Sequence, residues 1–523
     1  MTAYELITNT TTLSLVGLCS VLLLGYDLWK KLYFRRHGIP GPFPLPLIGN
    51  ILDMSKGFTS ELIAKKEKYG KVYGLTVGTF PSFIIQDLDM LKEIFISRFS
   101  AFPNHAEEPI NEEPFDKGVN VTRDGHWKAV RNTLSPAFTG NKMKLMTPII
   151  NKCCDQLVEH FEEKRNTETS IQCKDLFGGY SMDVVASTFF GLEVDSQKNP
   201  DDPFVKYAKS AFDIGLWNVK LLLALFIPGM QKLYNLLGIK VLDVNMAKFF
   251  KGVITQAIDM RKKEGSTRKD MLQLLIDAHK LDHDEEGDND GLLNGDIKED
   301  TSSNAPSKTA LTDEEIMANA VLFIVAAYET TAAALCMTSY LLATHKEEQE
   351  KLIQEIDKFT PRKEDLTYEN LSKMEHLDCL IREALRFYPP VSITDRVNDK
   401  EDIVVKGITI PKGFAIFVPI YAIHHDPDVW DEPEEFRPER FSKENRSKIR
   451  ALSWLPFGDG PRMCLGMRLA LMEIKFALVR VLQEFQFETC SETEIPPILN
   501  TKTAFICPAN GIKLQVVPRK KTD

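Results

Sequence analysis

One cysteine constrains this chain more than any other residue. Cys464 closes the run Phe457-Gly458-Asp459-Gly460-Pro461-Arg462-Met463-Cys464-Leu465-Gly466, and Met467 to Ile474 after it reads as a helix. The sulfur therefore stands at a helix N-terminus. Unpaired N–H groups and the helix dipole favour an anion there and lower a thiol's pKa. Gly458 and Gly460 allow a tight turn, and Gly466 lets the backbone approach something flat and large. Arg462 can reach a carboxylate, and Phe457 can shield the sulfur from water. The expected product is a pre-formed, half-buried thiolate with a cation beside it. A cysteine taken alone is more often inert core.

The run matches Phe-x-x-Gly-x-Arg-x-Cys-x-Gly at all five fixed positions. It resembles the haem-binding loop of the cytochrome P450 superfamily. The resemblance implies that Cys464 is the axial thiolate of the iron of haem b, that Arg462 holds a haem propionate, and that Phe457 lies beside the cofactor. A thiolate ligand pushes electron density toward bound oxygen and favours O–O cleavage. The fold implied is mainly α with small β-sheets, a single large haem-thiolate domain behind an N-terminal membrane anchor helix.

Composition fits that frame. The chain has 523 residues, of which 43% are hydrophobic. Length alone suggests about two to four domains, with one large helical domain as an allowed exception. The nine cysteines are odd in number and none has C-x-x-C spacing. This argues against a disulfide framework or a zinc site and for a reducing compartment. The net charge of −10 comes mostly from the acidic segment at 282–300. The rest is near balance, so nothing suggests nucleic acid.

Thr12 to Trp29 is apolar apart from Asp27, a length that suits a marginal membrane helix. Lys30, Lys31, Arg35 and Arg36 follow, which favours a cytosolic C-terminal body. A cleaved signal needs a positive start and a small-residue cleavage site. Met1 to Glu5 carries no Lys or Arg, and the flank after the helix is bulky and basic. Residues 1–37 therefore read as an uncleaved anchor with its basic flank. Residues 38–46 hold four prolines and read as a stiff, extended connector, similar to the hinge of microsomal members of the superfamily. Residues 47–523 are the expected catalytic domain. Val72 to Leu75 and Ser82 to Gln86 are strand-like around turn residues at 78–81.

Trp127 and Arg131 are four apart and share a helix face. By itself the pair reads as packing or a cation–π contact. The superfamily resemblance implies that both bind haem propionates. His105 falls where close relatives often carry another propionate-binding Arg, and imidazole is a poorer partner, so it is left out. Thr312 to Glu315 is a capping-box pattern opening a helix to about Ala343. In its middle stand Ala326-Ala327-Tyr328-Glu329-Thr330-Thr331. Thr330 can bond back to the Ala326 carbonyl and open the helix locally. This resembles the superfamily's oxygen-activation groove, with Glu329 relaying protons and Thr330 holding the oxygen substrate. Ala327 departs from the usual Gly, and its methyl tightens the groove. Glu383 and Arg386 lie at i, i+3 and resemble the buried Glu-x-x-Arg signature, whose third partner is Arg440 in the Phe436 to Phe441 segment. That role is structural. Arg396 matches a further propionate contact. Val391 and Thr394 match pocket-lining positions, as do Phe505 and Ile506.

Phe204 to Val253 is helical and unusually apolar. A core helix pair and a roof that dips into the membrane interface both fit. Residues 282–307 read as an acidic disordered loop. A calcium loop begun at Glu286 fails, because its twelfth position is Ile297. The stretch Pro497 to Val517 reads as strands and turns. The ending Lys520-Lys521-Thr522-Asp523 is similar to a dilysine retrieval signal for the endoplasmic reticulum.

The motifs look most like the animal family 3 group. The implied function is a membrane-anchored haem-thiolate monooxygenase acting on a lipophilic, steroid- or xenobiotic-like substrate. Electrons would come from NADPH through a separate NADPH–cytochrome P450 reductase, with cytochrome b5 as a second donor, since the chain has no nucleotide-binding Gly motif. Membrane lipid is a further expected partner. A haem-thiolate isomerase or dehydratase acting on a peroxide would not need Glu329-Thr330. A haem carrier or sensor would need neither the groove nor the apolar roof.

Overall fold

The structure, a computed structural model, describes residues 10–54, 57–78, 80–107, 112–192, 194–196, 198–199, 202–210, 218–227, 229–264, 271–273, 276, 311–501 and 503–519. The acidic loop at 282–307, Leu216, Trp217, Pro228 and the Lys520-Lys521 pair lie outside these residues.

Helix α1 (Thr10–Lys31) carries an apolar surface with Leu13, Leu15, Val16, Leu18, Val21, Leu22 and Leu23 all exposed. Its last turn is tied to the body. Asp27 pairs with Lys31 at 2.7 Å and accepts a hydrogen bond from the Leu47 N–H at 2.7 Å. Just beyond it Phe34 is buried, edge-on to Phe83 at 5.1 Å and against Gly74, where any Cβ would meet the Phe34 ring at 2.0 Å. Gly74 must be glycine because the ring occupies the side-chain space. The chain thus enters the folded body before the proline run begins.

The expected N-terminal hairpin forms as β1 (Val72–Val77) and β2 (Phe80–Ile85), paired antiparallel from Val72↔Ile85 to Val77↔Phe80. Gly78 takes φ +60° at the turn. Two strands from the C-terminal half complete a four-stranded sheet. The Ala415–Val418 strand pairs parallel with β2, and Thr394–Val397 pairs antiparallel with it at the edge. A second sheet joins Ile171–Gln172, Lys513–Pro518 and Phe485–Glu488.

The core lies among four helices: α2 (Gly140–Thr167), α3 (Cys173–Phe190), α4 (Asp313–Thr344) and α5 (Met467–Leu482). Helix α4 has 32 residues, about 48 Å at 1.5 Å per residue. The expected capping box is present at its start, Thr312 accepting from the Glu315 N–H and Glu315 from the Thr312 N–H. It is apolar all round and buried on most sides, as a helix with no polar face is when it forms the core of a folded body. By length and composition it could cross a membrane as well as α1, but α1 is bare and α4 is covered.

The apolar 204–253 region breaks into Pro203–Ser210, Val219–Phe226, Met230–Leu237 and the start of Val244–Glu264. Leu221 and Tyr234 face inward, while Val219, Leu233, Leu236 and Leu237 are exposed. A pure core pair does not account for that outer edge.

Candidate active site

The cysteine loop is held by its own backbone. Gly458 and Gly460 take φ +69° and +71°, and a Cβ on Gly460 would strike the Phe95 carbonyl at 2.2 Å. The Cys464 N–H donates to the Phe457 carbonyl at 2.8 Å, and Met463 to Gly460 at 2.9 Å. Space above Gly458 and Gly466 is open, with nothing within 4 Å of an added Cβ. Cys464 is accessible to solvent, yet burial is the largest influence on its thiol. The sulfur is therefore ringed by protein yet open to solvent. Burial pushes the thiol up, against the Gly466 and Met467 N–H groups and the Arg131 charge that pull it down. This corrects the expectation of a pre-formed thiolate: the helix start assists, but desolvation wins. A coordinated metal cation reverses that balance, because a ligating thiol is deprotonated outright.

Three arginines converge beside the loop. Arg131, on the Asp124–Leu134 helix, donates to the Met463 carbonyl at 2.7 Å. Arg396, on the Thr394–Val397 strand, is almost wholly buried. Among the described residues it bonds only its own Asp395 carbonyl, at 2.6 Å, and it lies 4.4 Å over the Phe95 ring. Its Nε is buried without a partner. Arg462 lies 4.0 Å over the Trp127 ring. Burial pushes Arg396 down to about 10 and Arg462 to about 9, and their mutual repulsion with Arg131 adds to it. Asp395 offsets part of this charge but also accepts from the Ala106 N–H and faces His105. Burial and the neighbouring arginines hold His105 below its usual range, so it adds no cation.

The expected Arg462–carboxylate contact is restricted. Four of its donor contacts go to Pro103 O at 2.8 Å, Val119 O at 3.2 Å, Asn104 Oδ1 at 3.2 Å and Thr122 O at 2.9 Å. With five N–H groups on a guanidinium, one remains. Arg462 chiefly clamps the 103–122 segment to the cysteine loop.

On α4, the Thr330 hydroxyl donates to Ala326 O at 2.7 Å, as its position implies. Ala326 is exposed in the middle of an otherwise buried helix, which marks an opening. The next carbonyl, Ala327 O, accepts from Ser181 at 3.3 Å. Glu329 is ion-paired to Lys174 at 2.6 Å. Lys174 was invisible in the sequence: it sits on α3, far upstream, with no spacing signal.

The Glu383–Arg386 pair is fully buried and bidentate, at 2.8 and 2.9 Å. Arg440 Nε joins Glu383 at 3.2 Å. The Arg437 N–H adds a further bond at 3.0 Å. The two pocket-lining stretches also meet. Val391 bridges to Phe505, and Ile506 N–H donates to Pro390 O at 2.9 Å. Val391, Thr394 and Phe505 are half-buried, whereas Ile506 is wholly buried and points into packing. A separate cavity of 260 Å³ lies between the 112–118 segment and the starts of Val244–Glu264 and α4, with acids and lysines in near balance.

The cytochrome P450 family model matches residues 39–516. The chain belongs to the cytochrome P450 family. It is similar to cytochrome P450 3A14 of Cavia porcellus, 39% identical over 514 residues that cover 97% of each chain. Cytochrome P450 3A11 of Mus musculus is 39% identical over 508 residues, 97% of this chain and 96% of that one. Cytochrome P450 3A9 of Rattus norvegicus is 40% identical over 505 residues, 96% and 95%. As a cytochrome P450 the chain is a haem-dependent monooxygenase. The residues present fit that cofactor. A group of buried cations short of anions, with an orphaned Arg396 Nε, suits paired carboxylates, and the open space over Gly458 and Gly466 suits a flat ring above a sulfur donor.

Proposed function

We propose that this cytochrome P450 oxidises a lipophilic, steroid- or xenobiotic-like substrate at the endoplasmic reticulum membrane. The observation that carries the site assignment is the convergence of Arg131, Arg396 and Arg462 beside a solvent-accessible cysteine. Cys464 is the iron ligand. Trp127, Arg131, Arg396 and the spare N–H of Arg462 would hold the two propionates, and the Phe457 carbonyl fixes the backbone of Cys464. When bound, haem supplies an iron that activates dioxygen, one atom entering the substrate and the other leaving as water.

The chain's own work is to move and place protons. The Thr330 hydroxyl, fixed to Ala326, orients a donor at the opening of α4. Glu329 exchanges protons with solvent and is held by Lys174 between turns. Val391, Thr394 and Phe505 shape the apolar side of the pocket, backed by Ile506. The Glu383–Arg386–Arg440 cluster is structural. Residues 1–37 are the anchor and basic flank, 38–46 the hinge and 47–523 the catalytic domain, which stands in the cytosol. The bare apolar face of α1 and the exposed Leu236 and Leu237 support contact with lipid at two places. Electrons come from NADPH through a separate reductase, with cytochrome b5 as a second donor.

Thr330→Ala tests the reading. The bond between a hydroxyl and a charged group is worth about 1.5–3 kcal/mol, roughly a ten- to hundredfold change in partitioning. NADPH consumption is expected to continue while product falls and hydrogen peroxide rises. Thr331→Ala is expected to do much less, since one residue along a helix turns the side chain about 100° away. Equal loss in both variants removes Thr330 from the mechanism. Cys464→Ser is expected to abolish the red-shifted Soret band of the ferrous–CO complex, and its persistence would exclude Cys464 as the ligand.

A further inference from the structure

His424 closes the short Ile420–His424 helix and is wholly buried. Both of its ring nitrogens are used. Nδ1 lies 3.0 Å from the Arg386 carbonyl, and the Leu455 N–H donates to Nε2 at 2.8 Å. A carbonyl can only accept and an amide N–H can only donate, so the proton sits on Nδ1 and the ring is neutral. The backbone answers in kind: Arg386 donates from its guanidinium to the His424 carbonyl at 2.8 Å. Arg386 is the partner of Glu383. Leu455 is itself buried, and its carbonyl accepts from the Gly458 N–H at 3.0 Å, one step before Phe457 receives the Cys464 N–H. One unbroken line therefore runs from Glu383 through Arg386, His424 and Leu455 to the cysteine loop.

We propose that His424 is a positioning residue that transmits the fixed geometry of the Glu383–Arg386 pair to the Cys464 loop. Leu455 is buried, so loss of Nε2 would strand its N–H at the cost of an unsatisfied donor. The inference rests on Cys464 as the iron ligand but adds a residue that no spacing rule points to.

The surroundings keep the ring neutral. Burial, the Arg386 charge and His425 all push His424 well below the ordinary histidine range, against one opposing bond to the Arg386 carbonyl. His425 is engaged by Glu434 at 2.9 Å and by the Phe387 carbonyl at 2.9 Å. Glu383 is saturated by Arg386, Arg440 and the Arg437 N–H. As pH falls below about 6.5, the unfolded chain gains a proton on this histidine that the folded chain refuses, so stability falls with pH. A proton forced onto Nε2 would face the Leu455 N–H, donor against donor, and release the loop.

Two substitutions separate the two ring nitrogens. His424→Gln can keep an acceptor near Nε2, and His424→Asn can keep a donor near Nδ1. The ferrous–CO band is followed against pH in the holoprotein, with hydrogen exchange of the Leu455 amide as a second readout. The expected result is that His424→Gln keeps the thiolate band to lower pH than the native protein. His424→Asn is expected to lose it at neutral pH and to exchange Leu455 about tenfold faster. Where a variant loads no haem, Leu455 exchange is compared between the haem-free proteins. Identical acid titrations for His424→Gln and the native protein, or unchanged Leu455 exchange in His424→Asn, overturn the proposal. A native protein without the thiolate band would instead defeat Cys464 as the ligand, and Leu455 exchange would still decide the role of His424.

Discussion

Two arginine clusters in this protein use the same side chain to opposite ends. Around Glu383, Arg386 and Arg440 share one buried carboxylate and most of their other donors end on the His424, Glu435, Asp431 and Glu432 carbonyls, although burial and repulsion from Arg386 still hold Arg440 down. Beside Cys464, Arg131, Arg396 and Arg462 repel one another and are held down by burial. The first cluster is finished by the protein alone. Among the described residues, Asp395 and Asp459 only partly offset the second, which suits an anionic ligand. A satisfied buried ion pair is evidence of architecture, and an unsatisfied buried cation is evidence of a ligand.

Removing a partner from each cluster should therefore have effects of different kind. Arg386→Ala strands Glu383 in a fully buried site, at about 3–5 kcal/mol. Poor expression, a low unfolding midpoint and little haem are expected, and a normal midpoint with full haem content would break the contrast. Arg396→Met should act the other way on the haem-free protein, which loses a repelling, desolvated cation and unfolds at the same midpoint or a higher one. Haem affinity should fall by about 1.5–3 kcal/mol, a ten- to hundredfold change. A drop in haem-free stability would place Arg396 with the architectural cluster instead. Arg462→Lys keeps the charge and discards the fork. Its expected cost is about 1 kcal/mol, seen as faster proteolysis of the 103–122 segment with haem content nearly intact.

What could be read in the sequence was what lies within one helix or one loop. The Thr312–Glu315 box, the Thr330 bond to Ala326 and the Glu383–Arg386 pair are fixed by helical spacing, and all three are present. The glycine turn at Gly458 and Gly460 was legible for the same reason. Partners brought from distant parts of the chain were not. Lys174 reaches Glu329, and His424 reaches Leu455, through packing that no local pattern encodes. The thiol of Cys464 was misjudged because a helix start is visible in sequence and the degree of burial is not. Arg462 matched its motif, yet its donors are mostly spent on carbonyls of a segment some 340 residues away in sequence, as the separation from Thr122 shows.

The seating of Phe34 on Gly74, with Asp27 gripping Leu47, has a mechanical consequence. A flexible tether would let the bilayer and the catalytic body move independently. Here the 22-residue α1 runs into the body through packed rings, so the helix and the body share one orientation. At 1.5 Å per residue α1 is about 33 Å long, close to the thickness of a hydrocarbon core. On the proposed reading of α1 as an anchor, a thinner bilayer would make the helix lean and the packed body lean with it. On that reading lipid chain length is expected to act on turnover, a variable that a detergent-solubilised preparation does not sample.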